Sequence, residues 1–258
     1  MKRAALLATG VAVAGVLSAE VARAAPPWVD RTLTLPSHDW AFDFGLGIAH
    51  VPDVTGPGLN IEGAVSPIDR LELGFRTGIR LNEDAQAIRA DQYGRLFDRQ
   101  TFGTGNDTFA NPEFRVTGEV LRSRIVELGL EGRVYLPLED GTHAGIMAGM
   151  PLRFHLGDSV RIDTGVYVPI VFSTPTDTHF SAPFDLWIQA SNRLWLGPMS
   201  GFVYNSLPNT VDISLGFGLG YQILRTLDLK TMLLFPDINH NEGSRDFGMG
   251  VGIQVRIE

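Results

Sequence analysis

The sequence predicts an all-β protein, a closed antiparallel transmembrane barrel of about twelve strands. Three observations predict it. Apolar and polar residues alternate strictly in one stretch after another. Tight turns alternate with longer connections along the chain. No amphipathic helix interrupts the series.

The stretch LELGFRTGIRL, residues 71–81, sets the pattern. Leu71, Leu73, Phe75, Ile79 and Leu81 fall on one face, and Glu72, Gly74, Arg76, Gly78 and Arg80 on the other. Twelve segments read this way: about 39–50, 58–65, 70–82, 112–122, 125–138, 143–156, 159–173, 183–191, 193–205, 210–223, 227–236 and 245–258. Most exceed the ~5–6 residues of a soluble strand and suit the ~9–11 of a tilted membrane strand. A soluble sandwich would need a second layer to cover each apolar face. The apolar residues are therefore expected to face lipid and the charged ones the lumen.

The connections order the strands. SPID (66–69), LRSR (121–124), LGDS (156–159), ASNR (190–193) and LRTL (224–227) are tight. HVPDVTGPG (50–58), residues 83–111, EDGT (139–142), STPTDTHFSA (173–182), NSLPNT (205–210) and PDINHNEGSR (236–245) are longer. Such alternation gives short periplasmic turns, long extracellular loops and both termini on the periplasmic rim. Aromatic residues support the assignment. Phe114, Phe172, Phe184, Tyr204, Phe235 and Phe247 fall near the long-loop rim, and Trp40, Phe154 and Tyr221 near the other, as in two interfacial girdles.

Upstream of the barrel, residues 1–24 read as a signal peptide: Lys2 and Arg3, an apolar run from Ala4 to Ala19, and an Ala22-Arg23-Ala24 cleavage site. Removing them takes away three basic groups and one acid and moves the net charge from −8 to −10. An acidic exported chain is a poor nucleic-acid binder. Residues 25–37 then form a short N-terminal periplasmic segment, no more than a short plug, ahead of a barrel domain over 38–258. The chain has no cysteine, which excludes disulfides and thiolate metal sites.

The C-terminal strand GMGVGIQVRIE resembles the assembly signal of Gram-negative bacterial outer-membrane β-barrels, carried here by Gly252, Val255 and Ile257. The chain departs from that pattern in ending Ile257-Glu258 instead of an aromatic residue. Residues 110–138 resemble hairpins of small porin- or transporter-like barrels. The resemblance implies an outer-membrane location in contact with lipid, passage through periplasmic chaperones and the barrel-assembly machinery, and a monomer.

Two inner walls can be read by parity. One carries interleaved charges: Glu72, Arg76, Arg80, Arg115, Glu119, Glu127, Glu131, Arg133, Arg153, Arg161 and Asp163. These are expected to form cross-strand ion pairs, or to line a wet passage that selects solutes. The other wall carries glycine: Gly45 and Gly47 with Ala49, then Gly216, Gly218 and Gly220, then Gly248, Gly250 and Gly252. Clustered strand glycine serves curvature or makes room, for a solute path or for an infolded segment. Residues 83–111 are the expected infolded or capping segment.

Catalytic and metal signals are weak. His179-Phe180-Ser181 with Asn192 has the spelling of an outer-membrane phospholipase triad, yet Asn192 falls on the opposite rim. Asp237 to Glu242 could hold a cation through oxygen ligands but reads as a solvated loop. No cofactor and no metal site is expected. Passive or facilitated passage of small solutes through a narrow charged lumen is the expected function. A closed barrel with a structural, adhesive or receptor role through its outer loops is the alternative, and a lipid hydrolase the most distant one.

Overall fold

A computed structural model of the chain describes residues 26–51, 54–80, 109–138, 143–207, 209–239 and 247–257. The expected signal peptide and nearly all of 83–111 lie outside the described residues. Twelve antiparallel strands close into one barrel: β1 (Trp40–Val51), β2 (Val54–Ile68), β3 (Leu71–Arg80), β4 (Phe109–Arg122), β5 (Val126–Tyr135), β6 (Gly145–His155), β7 (Val160–Val171), β8 (Asp177–Gln189), β9 (Leu194–Asn205), β10 (Thr210–Leu224), β11 (Leu227–Phe235) and β12 (Phe247–Ile257). Each strand pairs with its sequence neighbours, and β1 pairs with β12 to close the ring. Closure removes every free strand edge, the condition for crossing a bilayer with strands.

The barrel is inside-out relative to a soluble domain. Leu46, Leu130 and Leu215 on its outer face expose 59%, 57% and 48% of their surface, while Glu72, Arg133 and Arg161 inside are almost fully buried. The alternation expected from the sequence therefore holds with the apolar side outward. Trp40, Phe114, Phe172, Phe184, Tyr204 and Tyr221 all lie on that outer face.

Three boundaries differ from the sequence expectation. HVPDVTGPG is not a long loop: β1 and β2 run through it and pair Val51 with Val54, which confines the connection to residues 52–53. STPTDTHFSA is mostly strand, since β8 begins at Asp177. β4 begins at Phe109 instead of 112. In each case glycine, proline or a polar run suggests a turn, and pairing with a flanking strand overrides that local preference.

Residues 25–37 are expected as a periplasmic segment able to act as no more than a short plug. Residues 26–39 enter the short-turn mouth of the barrel and cross it before β1 begins. Trp28–Asp30 form one 3-10 turn, and Trp28, Val29, Leu33 and Thr34 are buried. The segment is called the strap below.

Candidate functional site: the barrel lumen and its strap

The charged wall is a network. Arg76 on β3 faces Glu113 on β4 in register and donates to it at 2.9 Å. Glu113 also accepts from Arg133 at 2.8 Å. Arg133 in turn donates to Glu131 at 2.9 Å, and Glu131 accepts from the Thr117 hydroxyl at 2.8 Å. Beside it, Arg115 lies 3.0 Å from Glu72 and 3.2 Å from Glu62. These charges are buried, so they persist because each finds opposite charge and hydrogen bonds at once.

Further round the ring, Asp163 accepts from Arg153 at 2.6 Å and lies 2.7 Å from Arg161. Lys230 pairs with Asp43, which also accepts from Gln254 at 2.8 Å. Of the charged lumen residues expected from the sequence, the structure buries Arg76, Arg115, Glu119, Glu127, Glu131, Arg133, Arg153, Arg161 and Asp163. Arg80 lies on β3, and its side chain is outside the described residues.

The strap completes this network. Its main chain is gripped by wall side chains. Gln189, Glu127 and Glu72 accept the N–H groups of Val29, Leu33 and Leu35 at 3.3, 2.6 and 3.0 Å. Arg153 donates to the Arg31 carbonyl at 2.8 Å, Arg161 donates to the Trp28 carbonyl, and His155 Nδ1 lies 2.9 Å from the Val29 carbonyl. The Thr34 hydroxyl donates to Glu119 at 3.0 Å. Arg31 reaches Asp228 on β11, which Arg256 also approaches at 3.2 Å. Burial lowers the pKa of Arg31 from its ordinary value, and the carboxylate of Asp228 opposes that fall.

The glycine wall explains where the strap's anchor sits. A Cβ at Gly220 would lie 2.1 Å from the Trp195 ring, and one at Gly218 would lie 2.6 Å from Trp187. The glycines thus make room for two inward indoles. Trp28 stacks on Trp195 at 4.9 Å with the rings 5° from parallel, and meets Trp187 edge-on at 6.0 Å. Arg161 and Arg31 lie 4.7 and 5.0 Å from the Trp28 ring centre, in cation–π range. Gly45 and Gly252 contact chiefly backbone and Asn60, which fits close strand approach. Gly47, Gly248 and Gly250 are buried on the same inner face. Whether residues 83–111 meet this wall lies outside the described residues.

Beside the strap at this mouth lies a recess of about 270 Å³, lined by Asp30, Arg124, Glu127, His155 and Asp158 among others. Deeper in, Leu33 packs near Pro151 and Tyr167 and leaves a void of about 10 Å³, space for one water at most.

The sequence reading did not single out Trp28, Arg31, Glu113, Glu62, Asp228, Trp187 or Trp195. Parity alone marks Trp187 and Trp195 as inward, since they alternate with outward Leu186, Ile188, Leu194 and Leu196. The strap residues carry no periodic signal. His179 and Ser181 face inward near the long-loop rim, and Asn192 lies in the turn at the other rim. His179 instead pairs with Asn205, at 2.7 Å, and with Asp177, at 3.0 Å. Among the described residues no group of His, Cys, Asp and Glu is arranged to hold a metal ion. Gly252 faces inward and Ile257 outward on β12.

No protein-family model matches the chain, and no curated protein sequence matches it. Solved structures do match. The NanC porin aligns over 84% of this chain and 100% of its own, with a TM-score of 0.60 at 5% identity. An outer-membrane channel from Pseudomonas putida F1 aligns over 87% and 97%, with 0.62 at 11% identity. The KdgM porin, solved in complex with disordered oligogalacturonate, aligns over 84% and 99%, with 0.53 at 10% identity. At these identities the likeness is one of fold.

Proposed function

We propose that this chain is a monomeric outer-membrane channel that passes small solutes through a narrow charged lumen. One observation carries the reading: the closed barrel turns its apolar residues outward and buries paired arginines and carboxylates inside. Such an interior selects solutes by charge and size. Twelve strands make a bore between the filled eight-stranded barrels and the open sixteen-stranded porins. The porins and the channel that share its fold support the reading.

In this reading the chain is exported behind residues 1–24, meets the assembly machinery through Gly252, Val255 and Ile257, and performs no chemistry on its solutes. The strap across the mouth favours a second reading, a closed barrel acting through its outer loops. Single-channel recording in planar bilayers, at low and high salt, separates the two. Stepwise ion-selective currents are expected, rare in the wild-type chain and frequent in the full-length Trp28→Ala/Arg31→Ala variant. A barrel that is folded but silent in both forms overturns the channel reading.

A further inference from the structure

We propose that residues 26–35 are a releasable plug, a peptide docked in cis on a recognition surface built into the barrel wall, and that solutes cross when it leaves that surface. The inference rests on the channel reading above. Its first ground is the kind of bond that holds the strap. Residues 28–35 belong to no strand ladder. Wall side chains hold their N–H and carbonyl groups instead. Such bonds exchange for bonds to water without disturbing the sheet.

The second ground is that the surface is complete without the strap. Arg153 and Arg161 keep Asp163, Asp228 keeps Arg256, Glu119 keeps Arg122, and Glu72 keeps Arg115. When the strap departs, each of these charged wall groups keeps an opposite charge, Glu127 keeps its contact with His155 at 3.3 Å, and Arg31 passes into water. A structural core element would leave the opposite situation, with charges stranded by its loss.

The third ground is the anchor. The indole N–H groups of Trp28 and Trp187 are buried and have no hydrogen-bond partner. A buried unsatisfied donor destabilises the docked state, and hydration on release recovers that cost. Stacking and cation–π contact hold the docked state against that bias. The balance of the two is what makes a plug that seats firmly and still opens.

The test uses the absence of cysteine in the chain. A Cβ at Gly129 would lie 2.9 Å from Leu33 Cδ2, so the two positions are neighbours, and the full-length L33C/G129C variant is used once mass spectrometry shows that its two thiols oxidise to a disulfide. Oxidation then ties the strap to β5, and reduction frees it. Bilayer currents are recorded in both states and in Trp28→Ala/Arg31→Ala. Strap position is read independently as the reactivity of V29C with a bulky maleimide, alone and combined with the double substitution. Heat-modifiable gel mobility confirms that each barrel is folded.

Reduced L33C/G129C and Trp28→Ala/Arg31→Ala are expected to open at least about tenfold more often than the oxidised form. The V29C thiol is expected to be inert alone and reactive once Trp28 and Arg31 are replaced. Equal currents from oxidised and reduced L33C/G129C overturn the proposal, because solutes then pass a seated strap. A double variant that stays silent also overturns it, either because the labelled strap has left without opening the lumen or because the unlabelled strap does not depend on its anchor. Silence in every variant while V29C labels marks failure of the channel reading as well, so the two failures are told apart.

Discussion

Arg31 reaches across the mouth of the barrel to Asp228, 197 residues away in sequence, and donates to both carboxylate oxygens at 2.6 and 3.1 Å. The pair is bidentate and buried, the geometry in which a guanidinium–carboxylate contact is strongest. It ties the segment before the first strand to the eleventh.

Arg31→Ala should therefore loosen the strap and leave the barrel intact, since Asp228 retains Arg256. Chymotrypsin cuts after Trp28 and Leu33, which are buried in the docked strap. Cleavage there is expected to speed up by about tenfold or more, because proteolysis follows the open population. Gel mobility of the folded barrel should not change. Unaltered cleavage would remove Arg31 from the account of how the strap is held.

Glu113 is the hub of the charged wall, accepting from Arg76 and Arg133. Glu113→Gln removes the charge that both guanidiniums share. Breaking a buried pair costs roughly 3–5 kcal/mol. A loss of that order is expected in denaturant unfolding from lipid vesicles. A change below about 0.5 kcal/mol, the scale of an ordinary surface substitution, would show that the wall is hydrated well enough to replace the carboxylate.

Gly220→Ala should displace Trp195, because the added carbon would stand 2.1 Å from its ring. Overpacking of this kind costs about 1–3 kcal/mol. The strap should loosen with it, since Trp28 stacks on Trp195, and the near-ultraviolet circular dichroism of the stacked indoles should fall. Gly118→Ala is the control, with nothing within 4 Å of its added carbon. Equal behaviour of the two variants would contradict the packing described for the glycine wall.

Leu130 stands on the outer face of β5 with 57% of its surface exposed. In water, Leu130→Arg would be harmless. Facing the bilayer core, it is expected to cost about 2–4 kcal/mol in folding into vesicles. A neutral result would place this face outside the membrane.

Much of the barrel is legible in the sequence because its period is two and its walls are chemically opposite. Arg76 and Arg80 declare the inner face of β3 without help from any other strand, and the same parity places Glu127, Glu131 and Arg133. The outset of β8 is not legible, because Asp177, His179 and Ser181 put polar residues on its inner side and read as loop. The β1–β2 hairpin is hidden for a related reason: Gly56, Pro57 and Gly58 suggest a turn, and the ladder with β1 overrides them. The strap is illegible altogether. Trp28, Arg31 and Leu33 have no spacing that marks them, and their partners lie on β5, β9 and β11, so the information sits in long-range complementarity. The glycine wall shows both sides of this. Its inward orientation follows from alternation, while its purpose depends on two indoles from other strands.

The pairing of β1 with β12 sets Gly45 opposite Gly252 and Gly47 opposite Gly250. Beyond the Asp43–Gln254 pair, the first and last strands thus meet along a line with almost no side-chain bulk on the inner side. Strand glycine packs weakly and gives up more backbone freedom on ordering than other residues. This line is therefore the thinnest part of the wall, the natural place for the growing sheet to be zipped shut last, and the first place it would part under lateral tension in the membrane.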